Sequence, residues 1–465
     1  MDTPSYQQLV LENQQLRERN TRLEQTVGEL LQRIEELERS AKRQAAPFSK
    51  GEPKANPKKP GRKAGQKHGR HAHREPPPTT QVDETLDAAL PDHCPDCGGD
   101  VVEDHLDQQF QTEIPRKPLV RKFTIHCGHC RTCGKHLRGR HPLQTSDATG
   151  AAGSQLGGDA QAAIVYFNKR AGLSHGKIAD TFDKLFGITV TPGASAQVVM
   201  RAGKILRPVS DEIKQKIKSS EHLTPDETGW RIGGHPAWLH GWVGDGGATL
   251  YAIDSQRSAD VLEKVIGIDW SGSMTHDGFS SYERFEDVAH QQCVDHALRR
   301  ARTLVDKHTG VAKLFPQQVI DLMVGALRLR DRFDEEKADE DRRGLAYEDY
   351  VRRLRELTAR PRVNQANARF ARHLSRHVGS WFLFLVDPKI PATNHRAEQA
   401  LKTPIVNRKV WGGNRTEAGG KAQAITSSVL QTCQKKSIDV FRFFGNAFRG
   451  VIGSLFTRSA ADDAK

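Results

Sequence analysis

Three acidic side chains in distinctive polar surroundings are the residues best suited to chemistry: Asp226 in LTPDETGW, Asp277 in MTHDGFSSY and Glu398 in PATNHRAEQALK. Three carboxylates converging on one point repel one another severely unless cations sit among them. With Mg²⁺ (or Mn²⁺) the repulsion becomes a binding site. Two such ions about 4 Å apart can activate a water or a 3′-hydroxyl and stabilise the leaving oxygen of a phosphodiester. A second set is Cys94, Cys97, Cys130 and Cys133, in two C-x-x-C-G knuckles. Four thiolates suit a closed, tetrahedral, structural Zn²⁺, and the Gly after each second Cys suits the tight turn that aims both sulfurs at one metal. Cys127 forms a competing C-x-x-C with Cys130; the matching Gly134 favours Cys130 with Cys133.

The elements that must position the acids can be read from period and punctuation. A first strand is expected to end near Asp226, because Pro225 disfavours a central strand. Trp238–Val243 and Ala248–Ile253 flank the turn formed by residues 244–247, a hairpin signal. A helix is expected over Ser258–Ile266 and a strand over Ser273–His276, ending at Asp277. A short helix over Ser281–Phe285 and a strand over Val288–Cys293 follow. This order matches a ribonuclease H-like α/β layout, in which acids at the ends of the first and fourth strands face each other and a late helix delivers a third. That helix starts at His395 with Asn394 as its cap, and it sets Leu401 and Lys402 three and four places after Glu398 on one side. An exposed Glu398–Lys402 ion pair is the plainer reading of that spacing. Glu227 would face away from Asp226, since strand residues alternate, and His296 lies either near the site or in the core. Lys402, Arg408, Lys409 and Arg415 are candidate phosphate contacts, the last three leading into an expected loop over Val410–Arg415.

The rest of the chain reads as modules that bring a polyanion to this point. At 465 residues several domains are expected. The net charge of +13 favours nucleic acid over membrane as partner. No run of about 18 apolar residues exists to span a bilayer, and the acidic, polar N-terminus is unlike a signal peptide, so a cytoplasmic, nucleoid-associated protein is expected. In such a compartment the seven cysteines point to metal rather than disulfides.

In residues 1–45, Leu9, Leu16, Leu23, Leu30 and Leu37 recur every seventh place. With these as d positions, Asn13 and Asn20 fall at a, which favours a parallel two-stranded coiled coil, and Glu12–Arg17, Arg19–Glu24 and Arg33–Glu38 form complementary flanks across a homodimer. Residues 46–85 are a basic Pro/Gly/Lys/Arg linker that cannot bury enough apolar surface to fold. Residues 86–145 form the zinc-binding domain, with short strands expected at Val101–Val102 and Val120–Ile125. Over 150–210, an apolar helix is followed by Ser174–Phe186 and Pro192–Leu206, with Ser174 and Thr191 as caps. This is a helix-turn-helix pattern whose second helix offers Ser, Gln and Arg to a groove, although a plain helical connector has the same pattern. The α/β domain spans 220–430. Within it, residues at about 305–385, apolar-periodic and Arg/Lys-rich, form a helical insertion, and a C-terminal helix and tail occupy 431–465. The fold class is multidomain α+β.

Taken together the chain resembles the IS66 family of bacterial insertion-sequence transposases. The motifs that carry the resemblance are DETGW (226–230), HDGFSSY (276–282), CVDH (293–296) with Arg299–Arg300, NHRAE (394–398) with Ala400–Leu401, and NRKVW (407–411). The resemblance implies a DDE transposase with Asp226, Asp277 and Glu398 as catalytic acids. It also implies binding of the terminal inverted repeats, metal-dependent strand cleavage and transfer, and accessory proteins from the same element. A catalytically inactive DNA-binding regulator is the alternative.

Overall fold

The structure is a computed structural model that describes residues 6–41, 76–112, 114, 117–153 and 155–456. The basic run of the linker and the final SAADDAK segment lie outside the described residues. The chain divides into two units, Met1–Leu119 and Val120–Lys465. The first contains one long helix, α1 (Tyr6–Ala41). Leu16, Leu23, Val27 and Leu30 on it are more than half exposed, so the heptad seam of the single chain is uncovered there. The first unit also holds the knuckle at Cys94, closed by Cys94 N–H on Gly99 O (2.9 Å) and Gly98 N–H on Cys94 O (2.8 Å). Among the described residues Val101–Val102 is not a strand.

The second unit opens with a small hairpin, β1 (Cys127–His129) and β2 (His136–Arg138), around the second knuckle. Its strands flank the Cys130–Lys135 turn, and Val120–Ile125, expected as a strand, is not one. Then come α2 (Gly158–Lys169), α3 (His175–Phe186), α4 (Pro192–Ile205) and α5 (Arg207–Lys218). Ser174 and Thr191 cap α3 and α4, accepting from Lys177 N–H and Ala194 N–H.

The central sheet is made of β3 (His222–Ile232), β4 (His235–Val243), β5 (Thr249–Asp254), β6 (Ser273–His276) and β7 (Ala289–Gln292), in the order β5-β4-β3-β6-β7. The first three form an antiparallel meander, while β6 and β7 run parallel to β3. Helix α6 (Ala259–Ile266) makes the crossover between β5 and β6. After the sheet come α7 (Val294–Lys307), α8 (Leu314–Glu336), α9 (Glu340–Ala359), α10 (Gln365–Arg376) and the short α11 (Leu383–Val386). These five helices share a hydrophobic core of their own, containing Phe315, Phe370, Trp381 and Phe382. The chain returns to the sheet through α12 (His395–Trp411), α13 (Glu417–Lys435) and α14 (Val440–Phe448). Helix α13 covers the free edge of β5: Thr432 and Ser428 hydroxyls accept from Thr249 N–H (3.1 Å) and Tyr251 N–H (2.8 Å). An edge strand so covered cannot pair with another chain.

Two further expectations need correction. β3 does not stop at Asp226 but runs on to Ile232. The carbonyl of Glu221 accepts from Ser273 N–H, so alternate residues 221, 223 and 225 turn their backbone polar groups toward β6. The ladder to β6 covers His222 and Leu223 only, and Pro225, with no N–H to give, comes next on that side. Proline therefore ends one ladder and leaves the strand intact on its β4 side. The stretch Val410–Arg415 is not all loop either. α12 continues through Trp411 and closes on Gly412, whose φ of +83° is a left-handed cap.

Candidate active site

The parallel pairing of β3 with β6 points the first two acids toward the same end of that ladder. β3 and β6 pair His222 with Ser273 and Leu223 with Met274. The ladder ends there and Asp277 lies in the turn just after β6, but it stays near enough to Asp226 to help raise that carboxyl. Across β3 the row continues: Asp226 pairs with Gly241, and Gly241 with Tyr251. Directly opposed residues share a face, and this face lies under α12. The Tyr251 hydroxyl donates to Ala400 O (2.6 Å), and a Cβ added at Gly241 would stand 3.2 Å from Leu401 Cδ2. Glycine at 241 is what lets the helix lie this close. Glu398 sits less than one turn before Leu401.

Both ends of α12 are fixed to the sheet. At its start, the Thr275 hydroxyl donates to Pro391 O (2.8 Å), Val294 N–H to Ala392 O (3.0 Å) and the Cys293 thiol to Asn394 Oδ1 (3.1 Å). Asn394 is thus the residue before the helix, but its side chain makes no cap bond. At the far end Trp230 Nε1 donates to Asn414 Oδ1 (2.8 Å), and Trp230 packs edge-on to Trp411.

The carboxyl of Asp226 is pushed up from 3.8 to about 7, first by burial, then by Glu227, Asp277 and Glu398, against a backbone hydrogen bond from Glu227 N–H that lowers it. All three other acids are therefore close enough to oppose its ionisation. Glu227 belongs to the opposite face, as expected. It is locked there by Arg257 (2.9 and 2.6 Å to Oε1) and by the Tyr282 hydroxyl (2.6 Å to Oε2). Arg257 in turn stacks over Phe279, 4.1 Å from the ring centre.

Behind Asp277 lies a hydrogen-bonded chain through two histidines, His276 and His290. Asp277 Oδ1 accepts from Phe279 N–H (3.0 Å), and Gly278 N–H donates to His276 Nδ1 (3.1 Å). A backbone N–H can only donate, so His276 Nδ1 carries no proton and Nε2 does. That Nε2–H points to His290 Nδ1 (3.0 Å), and His290 Nε2–H to Phe285 O (2.9 Å). Burial, with His290 and His377 adding to it, lowers His276 to about 3, which keeps its ring neutral. Gly278 has φ +87°, and a Cβ there would meet Gln292 Oε1 at 2.8 Å. The turn holding Asp277 thus accepts only glycine.

Glu398 makes contacts the spacing in α12 does not suggest. Its Oε1 accepts from Arg299 Nη2 (3.2 Å) and lies 3.7 Å from His296 Nε2, both on α7. The Glu398–Lys402 pair is absent among the described residues, and Lys402 is exposed. His296 is therefore beside Glu398, while its Nδ1 is buried without a hydrogen-bond partner among the described residues. Among the described residues no group of three His, Cys, Asp or Glu side chains stands close enough together to hold a metal ion.

The family model for "Transposase IS66 family" matches residues 153–422. The chain belongs to the IS66 transposase family. Two curated relatives, both from Sinorhizobium fredii (strain NBRC 101917 / NGR234), are similar to it. "Uncharacterized protein y4hP" is 23% identical over 405 residues, covering 79% of this chain and 72% of the relative. "Uncharacterized protein y4qI" is 24% identical over 286 residues, covering 54% and 52%. Membership carries a transposase role in general terms, and with it DNA as partner. No helix among the described residues is long and apolar enough to cross a membrane.

The basic candidates of this IS66 chain divide. Lys402, Lys409 and Arg415 are exposed. Arg408 is turned inward, its Nη1 donating to Thr228 Oγ1 (3.2 Å) and to Gly229 O, so it clamps α12 to β3 instead of offering itself to a phosphate. On α4, Ser195 is buried and bonded to His175 Nδ1 (2.9 Å), which removes it from any groove-facing set, whereas Gln197, Arg201 and Lys204 are exposed. The two knuckles have matching turns. Gly98 and Gly134 take φ of +73° and +69°. The thiols of Cys94 and Cys130 are lowered by backbone N–H groups of the residues two and three places on, which favours the thiolate a metal needs. Sequence reasoning gave no role to Arg299 or Arg257. The Arg299–Arg300 pair beside CVDH was the available signal for the first; nothing local marks the second.

Proposed function

We propose that this IS66-family chain is a DDE-type DNA transposase whose Asp226, Asp277 and Glu398 hold divalent Mg²⁺ or Mn²⁺ for strand cleavage and strand transfer at the element's terminal inverted repeats. What supports the reading is that Asp226, Asp277 and Glu398, from three separate places in the chain, share one acidic neighbourhood: the Asp226 carboxyl is raised first by burial, then by Glu227 and Asp277, and least by Glu398. An all-carboxylate oxygen donor set fits a hard cation, and a cation would relieve the burial and the neighbouring charges that oppose ionisation of Asp226. Bound there, the ions would supply an activated water or 3′-hydroxyl and neutralise charge on the leaving oxygen.

The chain's own residues would do the rest. β3 would present one carboxylate, the turn directly after β6 the second, and α12, clamped at both ends, the third. The histidine chain behind His276 keeps the Asp277 turn in one conformation. Exposed Lys402, Lys409 and Arg415 beside the helix would take the phosphates of the DNA. The strand order, an antiparallel meander extended by two parallel strands, supports a ribonuclease H-like reading of this domain, with α7–α11 as its helical insertion. Gln197, Arg201 and Lys204 on α4 would grip the repeats. The C-x-x-C-G spacing of Cys94, Cys97, Cys130 and Cys133 in the sequence supports them as structural Zn²⁺ ligands. The uncovered leucine seam of α1 would pair two chains and so bring two element ends together.

The test is strand transfer with Mg²⁺ on DNA carrying the inverted repeats that flank the gene. Asp226→Asn, Asp277→Asn and Glu398→Gln are each expected to abolish cleavage and joining while DNA is still bound. Unimpaired transfer by these variants would sink the reading.

A further inference from the structure

Arg299 is placed between two tasks. One nitrogen, Nη2, serves two carboxylates: Asp295 Oδ2 at 2.9 Å, one turn back on α7, and Glu398 Oε1 at 3.2 Å on α12. Among the described residues Nε and Nη1 have no hydrogen-bond partner. The side chain is 57% exposed and Glu398 33% exposed, so both bonds can exchange with solvent or ligand at small cost. The next residue shows the contrast. Arg300 is anchored over the Phe370 ring at 4.9 Å and has no carboxylate on it among the described residues. A guanidinium offers a planar fork that matches phosphate as well as carboxylate.

We propose that Arg299 is an exchange residue for the site: it holds Glu398 in the DNA-free chain, and a DNA phosphate draws it off, releasing Glu398 to the divalent cation. The inference rests on the acid-triad reading above. While Arg299 donates to Glu398 Oε1, that oxygen is neutralised by a fixed cation and is a poor metal ligand. Once a phosphate takes the guanidinium, both Glu398 oxygens are open, with His296 Nε2 as the remaining neighbour. Asp295 then stays as a tether that keeps Arg299 on the same face of α7. Metal and DNA would therefore bind cooperatively, each raising the affinity of the other by the same factor, as linkage requires. The device would keep the cation loosely held until DNA is in place.

The experiment is a Mn²⁺ titration of the full chain by electron paramagnetic resonance, with and without a saturating 30-base-pair duplex taken from the flanking repeat. Wild type is expected to bind Mn²⁺ several-fold more tightly with duplex than without. Arg299→Gln is expected to bind Mn²⁺ in the free chain more tightly than wild type, with the duplex adding little. Arg299→Lys keeps the charge and is expected to bind as weakly as wild type in the free chain. A merely structural role would weaken Mn²⁺ binding in Arg299→Gln, and that result, an unchanged free-chain affinity, or an equal duplex effect in wild type and Arg299→Gln would overturn the exchange. Asp226→Asn separates the two layers. If it leaves wild-type Mn²⁺ affinity unchanged, the acid-triad reading itself fails. If it abolishes binding, the Arg299 results bear on the exchange alone.

Discussion

Replacing Asp226 by Asn should stabilise the metal-free protein, against the usual direction of a substitution at a functional site. The Asp226 carboxyl is raised from 3.8 to about 7 in the folded chain. Below about pH 3.8 it is protonated in both folded and unfolded chains and adds no pH-dependent term. Between pH 4 and 7 the unfolded chain ionises while the folded chain retains its proton, so stability falls as pH rises, and above 7 the full penalty applies. Three units correspond to about 4 kcal/mol as an upper bound, and the partial exposure of the group cuts this to roughly 2 kcal/mol. Asparagine keeps an Oδ1 to accept from Glu227 N–H, so little else is lost. In EDTA, urea unfolding followed by tryptophan fluorescence should give Asp226→Asn a higher midpoint than wild type at pH 8 and an equal one at pH 4. Saturating Mn²⁺ at pH 8 should reverse the order, because a ligand at 100 times its Kd adds about 2.7 kcal/mol to the chain that binds it. An Asp226→Asn chain that is less stable at pH 8 in EDTA, or equally shifted at both pH values, would refute the reasoning.

Gly241→Ala places a methyl 3.2 Å from Leu401 Cδ2 and 3.3 Å from Tyr251 Cε1, both buried; a loss of about 1–2 kcal/mol is expected by urea unfolding, and strand cleavage should fall with it as α12 lifts. Lys409→Ala with Arg415→Ala should reduce the slope of log binding constant against log salt by about 1.8 on duplex DNA. Arg408→Ala should leave that slope unchanged and cost about 1–2 kcal/mol of stability from its lost bonds to β3. Elemental analysis should find one Zn²⁺ per chain, lost in Cys97→Ser.

What the sequence made legible were features set by local chemistry. The span Ser273–His276 is a strand in both readings, because apolar and β-branched residues stop at an Asp-Gly turn whose glycine takes φ +87°. Ser174 and Thr191 announce the starts of α3 and α4 because a hydroxyl before a helix has an unpaired N–H to bind. What was not legible depends on partners far along the chain. Pro225 reads as a strand end, yet only the β6 ladder needs its missing N–H. Asn394 reads as a cap, yet the Cys293 thiol, 101 residues away in sequence, takes its oxygen. Lys402 looks like the partner of Glu398 from helical spacing, but Arg299 reaches that carboxylate from another helix. Arg408 looks like a free cation until β3 supplies a carbonyl for it. Long polar side chains choose among acceptors that folding brings together, and spacing alone does not rank those acceptors.

The central claim, that three acids from a strand, a turn and a helix share divalent cations, is tested most directly by anomalous diffraction from the DNA complex of the full chain grown with Mn²⁺. The account expects a Mn²⁺ peak within about 2.2 Å of carboxylate oxygens of Asp226, Asp277 and Glu398. Manganese bound elsewhere, with Glu398 still on Arg299 while DNA occupies the site, would contradict it.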